Sequence, residues 1–139
     1  MKNIVIILFA FLISGSVFGQ QTKTLSVRKF SKSLERKEVI TLDVRTTEEF
    51  STGHISKAIN IDWKNAEEFK KKALLLPKNV PIYLYCRSGT RSEKAMKWLQ
   101  INGFDKIRDL SGGFEAWKES GKEVSIDNIS TDNIGTHGN

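Results

Sequence analysis

The single cysteine of this chain, Cys86, opens the run Cys86-Arg87-Ser88-Gly89-Thr90-Arg91-Ser92. Residue types at this spacing suit anion chemistry at sulfur. The thiolate is the nucleophilic form of cysteine, and nearby arginines or a helix N-terminus raise its population at neutral pH. Arg87 and Arg91 fit that role, and their forked guanidinium groups can also grip an incoming oxyanion in a way lysine cannot. Gly89 permits a turn that a bulkier residue resists, so the backbone N–H groups of Arg87, Ser88, Gly89, Thr90 and Arg91 can curl around one centre. A small buried core residue at a strand end would account for Cys86. It would not account for two arginines, a glycine and three hydroxyls in a row, and the nucleophile covers them all.

The flanking elements must hold this loop. Val80–Tyr85 is the clearest strand pattern in the chain and stops directly before Cys86. Glu93–Asn102 reads as a helix whose Ala95, Met96, Trp98 and Leu99 share a buried face, closed by Gly103. Cys86 is therefore expected at the carboxyl end of a strand and before a helix N-terminus, where open α/β sheets bind ligands.

Upstream, Ser26–Arg36 places Val27, Phe30 and Leu34 at helical spacing. Val39–Val44 is a strand ending at Asp43, Arg45 and Thr46, and Thr47–Phe50 is a capped short helix. Ile55–Ile61 suits a second strand, and Asn65–Leu76 a helix ended by Pro77. Lys106–Leu110 is a further strand and Gly112–Glu119 a further helix. Alternation of strand and helix predicts an α/β fold, a parallel sheet with helices on both faces.

Other polar residues are assigned supporting parts. Asp43 and Arg45 are expected to hydrogen-bond neighbouring loops, and Ser92 closes the cysteine loop. His54 is expected to anchor a loop, because transfer through an activated thiolate needs no general base. Gly112 and Gly113 should allow close backbone approach before the last helix. Trp98, Phe104, Phe114 and Trp117 are core candidates, and Trp63 is left between core and the rim of the site. No metal site is expected, His137 being alone in a polar tail.

The chain has 139 residues. Met1–Gly19 reads as a cleaved secretory signal, with Lys2, an apolar run over Ile4–Ile13 and small residues before Gln20. The run is too short for a stable membrane anchor. Residues 20–24 form a polar lead, 25–122 one domain, and 123–139 a loose polar tail. Export points to a bacterial periplasm, with secretion as the alternative. The formal charge of +6 is spread over scattered lysines, which argues against nucleic-acid binding and leaves a general attraction for small anions.

Three segments together resemble the rhodanese-homology family. LDVRTTEEFSTGHISKAINI (Leu42–Ile61) is similar to its first signature, CRSGTRS (Cys86–Ser92) to its active-site loop and LSGGFEAWKESG (Leu110–Gly121) to its closing signature. The resemblance spans Leu25–Gly121 and implies a single domain built on about five parallel strands. It also implies a sulfurtransferase in which Cys86 takes sulfane sulfur from a small anionic donor such as thiosulfate. The sulfur is held as a persulfide and passed to cyanide, a thiol or an exported acceptor protein, with no cofactor beyond that covalent intermediate. Arg87, Ser88, Gly89, Thr90 and Arg91 match the positions that cradle persulfide and donor. Lys57 departs from the family's usual Gly. Phosphatases related by fold place five residues between cysteine and arginine; this chain has four, Arg87–Thr90, a narrower loop that suits sulfur. A persulfide carrier with little turnover is the other alternative.

Overall fold

A computed structural model describes residues 23–126. The signal expected over Met1–Gly19, most of the polar lead and tail residues 127–139 lie outside the described residues. The elements alternate as β1 (Thr24–Leu25), α1 (Val27–Leu34), β2 (Ile40–Asp43), α2 (Thr47–Ser51), β3 (Ile59–Asn60), α3 (Ala66–Ala73), β4 (Ile82–Tyr85), α4 (Thr90–Ile101), β5 (Ile107–Leu110) and α5 (Gly113–Glu119). The strands form one five-stranded sheet in the order β1-β5-β4-β2-β3, every pairing parallel.

Side chains of β4 divide by parity, as the period of two along a strand requires. Ile82 and Leu84 join Leu42, Phe69, Leu99 and Ile107 in the core beneath α3 and α4. Tyr83 and Tyr85 join Phe30, Leu110, Phe114 and Trp117 beneath α1 and α5. All four residues of β4 are buried, because helices cover both faces of the sheet. Phe30 on α1 is fully buried, with Tyr83 edge-on at 5.5 Å and Trp117 at 6.4 Å between ring centroids. Its burial stabilises the fold by about 2–3 kcal/mol.

Four expectations are corrected. The strand expected over Ile55–Ile61 shrinks to Ile59–Asn60, because Ile55–Ala58 closes a turn (Ala58 N–H to Ile55 O, 3.0 Å) with Lys57 at φ +62°. Thr24, placed in the lead, belongs to β1, which pairs with Asp109–Leu110 at the edge of the sheet. The helix expected to start at Glu93 starts at Thr90, with Gly89 as its N-cap at φ +117°. The domain also continues past Lys122: Trp117 Nε1 donates to Glu123 O (2.8 Å), and Ser125 exchanges both backbone bonds with His54 (2.8 and 2.9 Å).

Candidate active site

Cys86 follows the last residue of the central strand and continues its parity, so it lies in the same core as Ile82 and Leu84 and is only 1% exposed. After it the chain must reverse into α4 within three residues. Gly89 makes this possible through its positive φ, and the turn brings its N–H onto Cys86 Sγ at 3.1 Å. Ser92, one turn into α4 and fully buried, sets its hydroxyl 3.5 Å from the same sulfur and 3.1 Å from Gly89 O. Glu93 N–H to Gly89 O (3.1 Å) is the first bond along α4. The preceding N–H groups, of Thr90, Arg91 and Ser92, have no intrahelical acceptor and give this end of the helix its positive character.

The loop is also fixed from behind. At the start of α5 the N–H of Phe114 donates to Cys86 O (2.8 Å) and that of Glu115 to Arg87 O (3.0 Å). Gly113 must be glycine at this approach: a Cβ there would lie 2.6 Å from both carbonyl oxygens, at a φ of +62°. The expectation of close backbone approach at Gly112-Gly113 is thereby given a partner, the cysteine loop itself.

The two arginines have different parts. Arg91, 18% exposed, is held by Glu49 through two bonds, Nη1–Oε2 at 2.6 Å and Nη2–Oε1 at 2.8 Å. The bonds to Glu49 hold its guanidinium in the charged form, and the neighbouring Cys86 and Asp62 favour that form further. The same pairing keeps the Glu49 carboxyl down at about 2. Arg87 projects into solvent and pairs with Glu115 at 2.7 Å. The Arg91 guanidinium is committed to Glu49 as a fixed positive charge beside the loop, whereas Arg87 is bonded to Glu115 through Nε and is largely exposed. Ser88 and Thr90 lie on the outer side of the loop, lining a cavity with Gly89, Asp109 and Gly112.

Glu49 went unassigned in the sequence. The available signal was local: Thr46 and Glu49 form a capping box, in which Thr46 N–H donates to Glu49 Oε2 (2.9 Å) and Glu49 N–H to Thr46 Oγ1 (3.2 Å). That box orients the carboxylate toward Arg91.

Asp43 and Arg45 are buried and turned toward each other, with Arg45 Nη2 2.7 Å from Asp43 Oδ2 and 2.7 Å from Gly53 O. The Arg45 guanidinium lies over the Phe114 ring at 4.1 Å from its centroid. Asp43 pairs in register with Tyr85, whose phenol is pushed upward by burial and by that carboxylate and accepts the N–H of Ile55 at 3.0 Å. These residues clamp the α2–β3 connection onto the strand end beside Cys86. His54 stacks on Phe50 at 3.8 Å with Nδ1 3.1 Å from Phe50 O, consistent with an anchor. Trp63 packs edge-on against Phe69 at 4.9 Å, at the border of the core. Among the described residues no group of three or more His, Cys, Asp or Glu side chains is arranged to hold a metal.

This architecture is shared with known proteins. Residues 26–120 match the family model for the rhodanese-like domain. The chain is 35% identical to the thiosulfate sulfurtransferase GlpE of Shewanella oneidensis, over 70% of this chain and 94% of that one. It is 35% identical to YqhL of Bacillus subtilis, over 82% and 90% of the two chains. Among solved structures, a rhodanese-related protein of Thermoplasma volcanium superposes with a TM-score of 0.66 at 28% identity, covering 75% of this chain and 98% of that one. A rhodanese-like domain protein of Staphylococcus aureus superposes at 0.63 with 31% identity, covering 76% and 98%. A cysteine at the end of a central parallel strand, cradled by a glycine N–H and a carboxylate-held arginine, and these likenesses lead to one assignment: the chain belongs to the rhodanese family, with residues 26–120 as its rhodanese-like domain.

Proposed function

We propose that the protein is a sulfurtransferase working through a persulfide on Cys86. The observation that carries this reading is the Gly89 N–H directed at Cys86 Sγ from 3.1 Å, at the start of α4 and beside the fixed charge of Arg91. A developing negative charge on sulfur finds a donor and a cation already in place, with no reorganisation needed.

With thiosulfate as donor, the Cys86 thiolate attacks the outer sulfur. The S–S bond of the donor breaks, sulfite leaves with the electron pair, and a new S–S bond leaves Cys86 as a persulfide. An acceptor such as cyanide or a thiolate then attacks the terminal sulfur and carries it away, as thiocyanate or a new persulfide, and the Cys86 thiolate is restored. Atoms and electrons balance without an external oxidant. The sulfurtransferase name of the Shewanella relative supports the reading, as does the four-residue interval between Cys86 and Arg91.

Incubation of reduced, folded protein with thiosulfate should add the mass of one sulfur atom, localised to Cys86 and removed by cyanide. Absence of an adduct from any sulfane donor overturns the proposal, and cleavage of an aryl phosphate lost in Cys86→Ser replaces it with phosphatase chemistry. Residues Met1–Gly19 support delivery of this activity outside the cytoplasm, toward an exported thiol or acceptor protein. Protein recovered from a periplasmic fraction should begin at Gln20, and an intact Met1 in the cytosolic fraction rules that location out.

A further inference from the structure

The face of the sheet turned away from Cys86 carries a second arrangement of charge. Positions 83 and 86 differ in parity, so Tyr83 lies in the core beneath α1 while Cys86 lies in the core beneath α4. Arg108 on β5 pairs in register with Tyr83, and the two residues line an open cavity of about 580 Å³ between the sheet and α1. Lys29, Lys32 and Arg36 line the same cavity from α1 and the turn that follows it. Arg36, Tyr83 and Arg108 also border a smaller cavity of about 250 Å³, to which Lys106 adds a further cation. No residue of the cysteine loop lines either one.

Cations gathered around one cavity repel each other, and an anion among them removes that repulsion. Among the described residues none of Lys29, Lys32, Arg36 and Arg108 forms an ion pair, and Glu35 is the one carboxylate lining the larger cavity. Complementing the negative carboxyl end of α1 accounts for Lys32 and Arg36. It does not account for Arg108, which sits half-buried on a strand. The Nη1 of Arg108 donates to Ile107 O at 2.7 Å, and its Nε and Nη2 have no protein acceptor among the described residues. Tyr83 points the same way. Its side chain is only 4% exposed, yet its hydroxyl has no hydrogen-bond partner among the described residues. A buried phenol at a cavity wall, with its donor unspent, is a contact available to a ligand.

We propose that this cavity binds a small oligophosphate, held by Arg108 and the Tyr83 hydroxyl on the sheet side and by Lys29, Lys32 and Arg36 on the helix side. Guanidinium forks meet phosphate oxygens in pairs, and lysine supplies point charges that tolerate any approach. From position 29 to position 36 the helix rise amounts to roughly 10 Å, more than one phosphate group spans and close to the length of two or three in a chain. The cavity volume falls in the range of small-molecule sites, which favours a compact anion over a long acidic segment of another protein. The site lies across the sheet from Cys86 and is independent of the sulfur chemistry proposed there.

Calorimetric titration of inorganic triphosphate into the folded, reduced protein tests the site. At about 50 mM salt it should give one site with a Kd below about 1 mM, weakening as salt rises to about 150 mM. Arg108→Gln should weaken binding about tenfold, and Tyr83→Phe, which keeps the ring, about threefold, with thermal melting to confirm folding. Lys71→Gln, on α3 across the sheet, makes the same change in net charge as Arg108→Gln and should leave the affinity unchanged, as should Cys86→Ser. A second titration with adenosine triphosphate separates a free oligophosphate from a nucleotide, and tighter binding of either supports the site. Absence of binding by both probes overturns the inference, as does equal weakening by Arg108→Gln and Lys71→Gln, or loss of binding in Cys86→Ser. A hexaglutamate peptide that binds more tightly than triphosphate also overturns it, and assigns the surface to an acidic protein segment. Should Arg108→Gln fail to fold, Arg36→Gln, at an exposed position, carries the same comparison with Lys71→Gln.

Discussion

Replacing Glu49 by Gln isolates the charge of the one carboxylate that holds Arg91. In the native protein the Arg91 bonds, aided by Thr46, bring Glu49 from 4.5 to about 2, and each unit is worth ~1.4 kcal/mol. The full shift amounts to about 3 kcal/mol; because the Glu49 side chain is 29% exposed, screening by solvent reduces the expected loss to about 2 kcal/mol at pH 7. The sign follows from a depressed folded-state pKa. The contribution is complete above the unfolded value near 4.5 and disappears as pH falls toward 2. Urea unfolding of wild type and Glu49→Gln at pH 7, 4.5 and 3 should therefore show a gap of about 2 kcal/mol that narrows through the acid range. Persulfide formation from thiosulfate should slow about tenfold at pH 7, because Arg91 loses its orientation beside the sulfur. A gap below about 0.5 kcal/mol at pH 7, or one that does not change with pH, would refute the assignment of Glu49 as the anchor of Arg91.

Three further perturbations follow from contacts around the loop. Lys57→Gly removes a side chain from a positive φ and should raise stability by about 0.5–1 kcal/mol, read as a higher melting temperature with unchanged activity. Gly113→Ala drives a methyl group to within 2.6 Å of the Cys86 and Arg87 carbonyls and should displace the loop, abolishing persulfide formation and costing at least about 2 kcal/mol; retention of wild-type activity contradicts the account of the α5 start. Arg45→Ala leaves the buried Asp43 carboxylate unpaired and should cost about 3–5 kcal/mol by chemical denaturation, whereas a loss under about 1 kcal/mol would mean that the pair does not clamp the α2–β3 connection.

The parts of this site that could be read from sequence are those written in consecutive residues. The apolar run ending at Tyr85, the glycine three residues after Cys86 and the closing Gly112-Gly113 pair each carry their own local signal, and together they place Cys86 and its loop. Interactions between distant segments leave no such trace. The Arg91–Glu49 pair joins positions on α4 and α2, and only its capping half could be seen locally. β1 is two residues long, too short for any periodicity, and exists because β5 offers it a parallel partner. The start of α4 was missed because Gly89 caps through backbone geometry, with no side-chain bond that a sequence pattern could show. Lys57 departs from the family pattern in composition, yet the turn keeps the left-handed backbone that a glycine there would adopt without strain.

The pairing of β1 with β5, and of the cysteine loop with the start of α5, bears on when a nascent chain becomes chemically competent. Among the described residues the first strand finds its one neighbour almost a full domain later, and the carbonyls of Cys86 and Arg87 wait for N–H groups that follow β5. Long-range parallel closure of this kind is slow relative to local helix formation. The thiol and the glycine N–H that faces it therefore emerge well before the N–H groups of Phe114 and Glu115 that hold the loop from behind. A chain halted before Gly113 would retain Cys86 and the glycine that faces it but lack the backstop that fixes their geometry. Completion of the backstop behind the Cys86 loop is in this sense a reporter of finished folding.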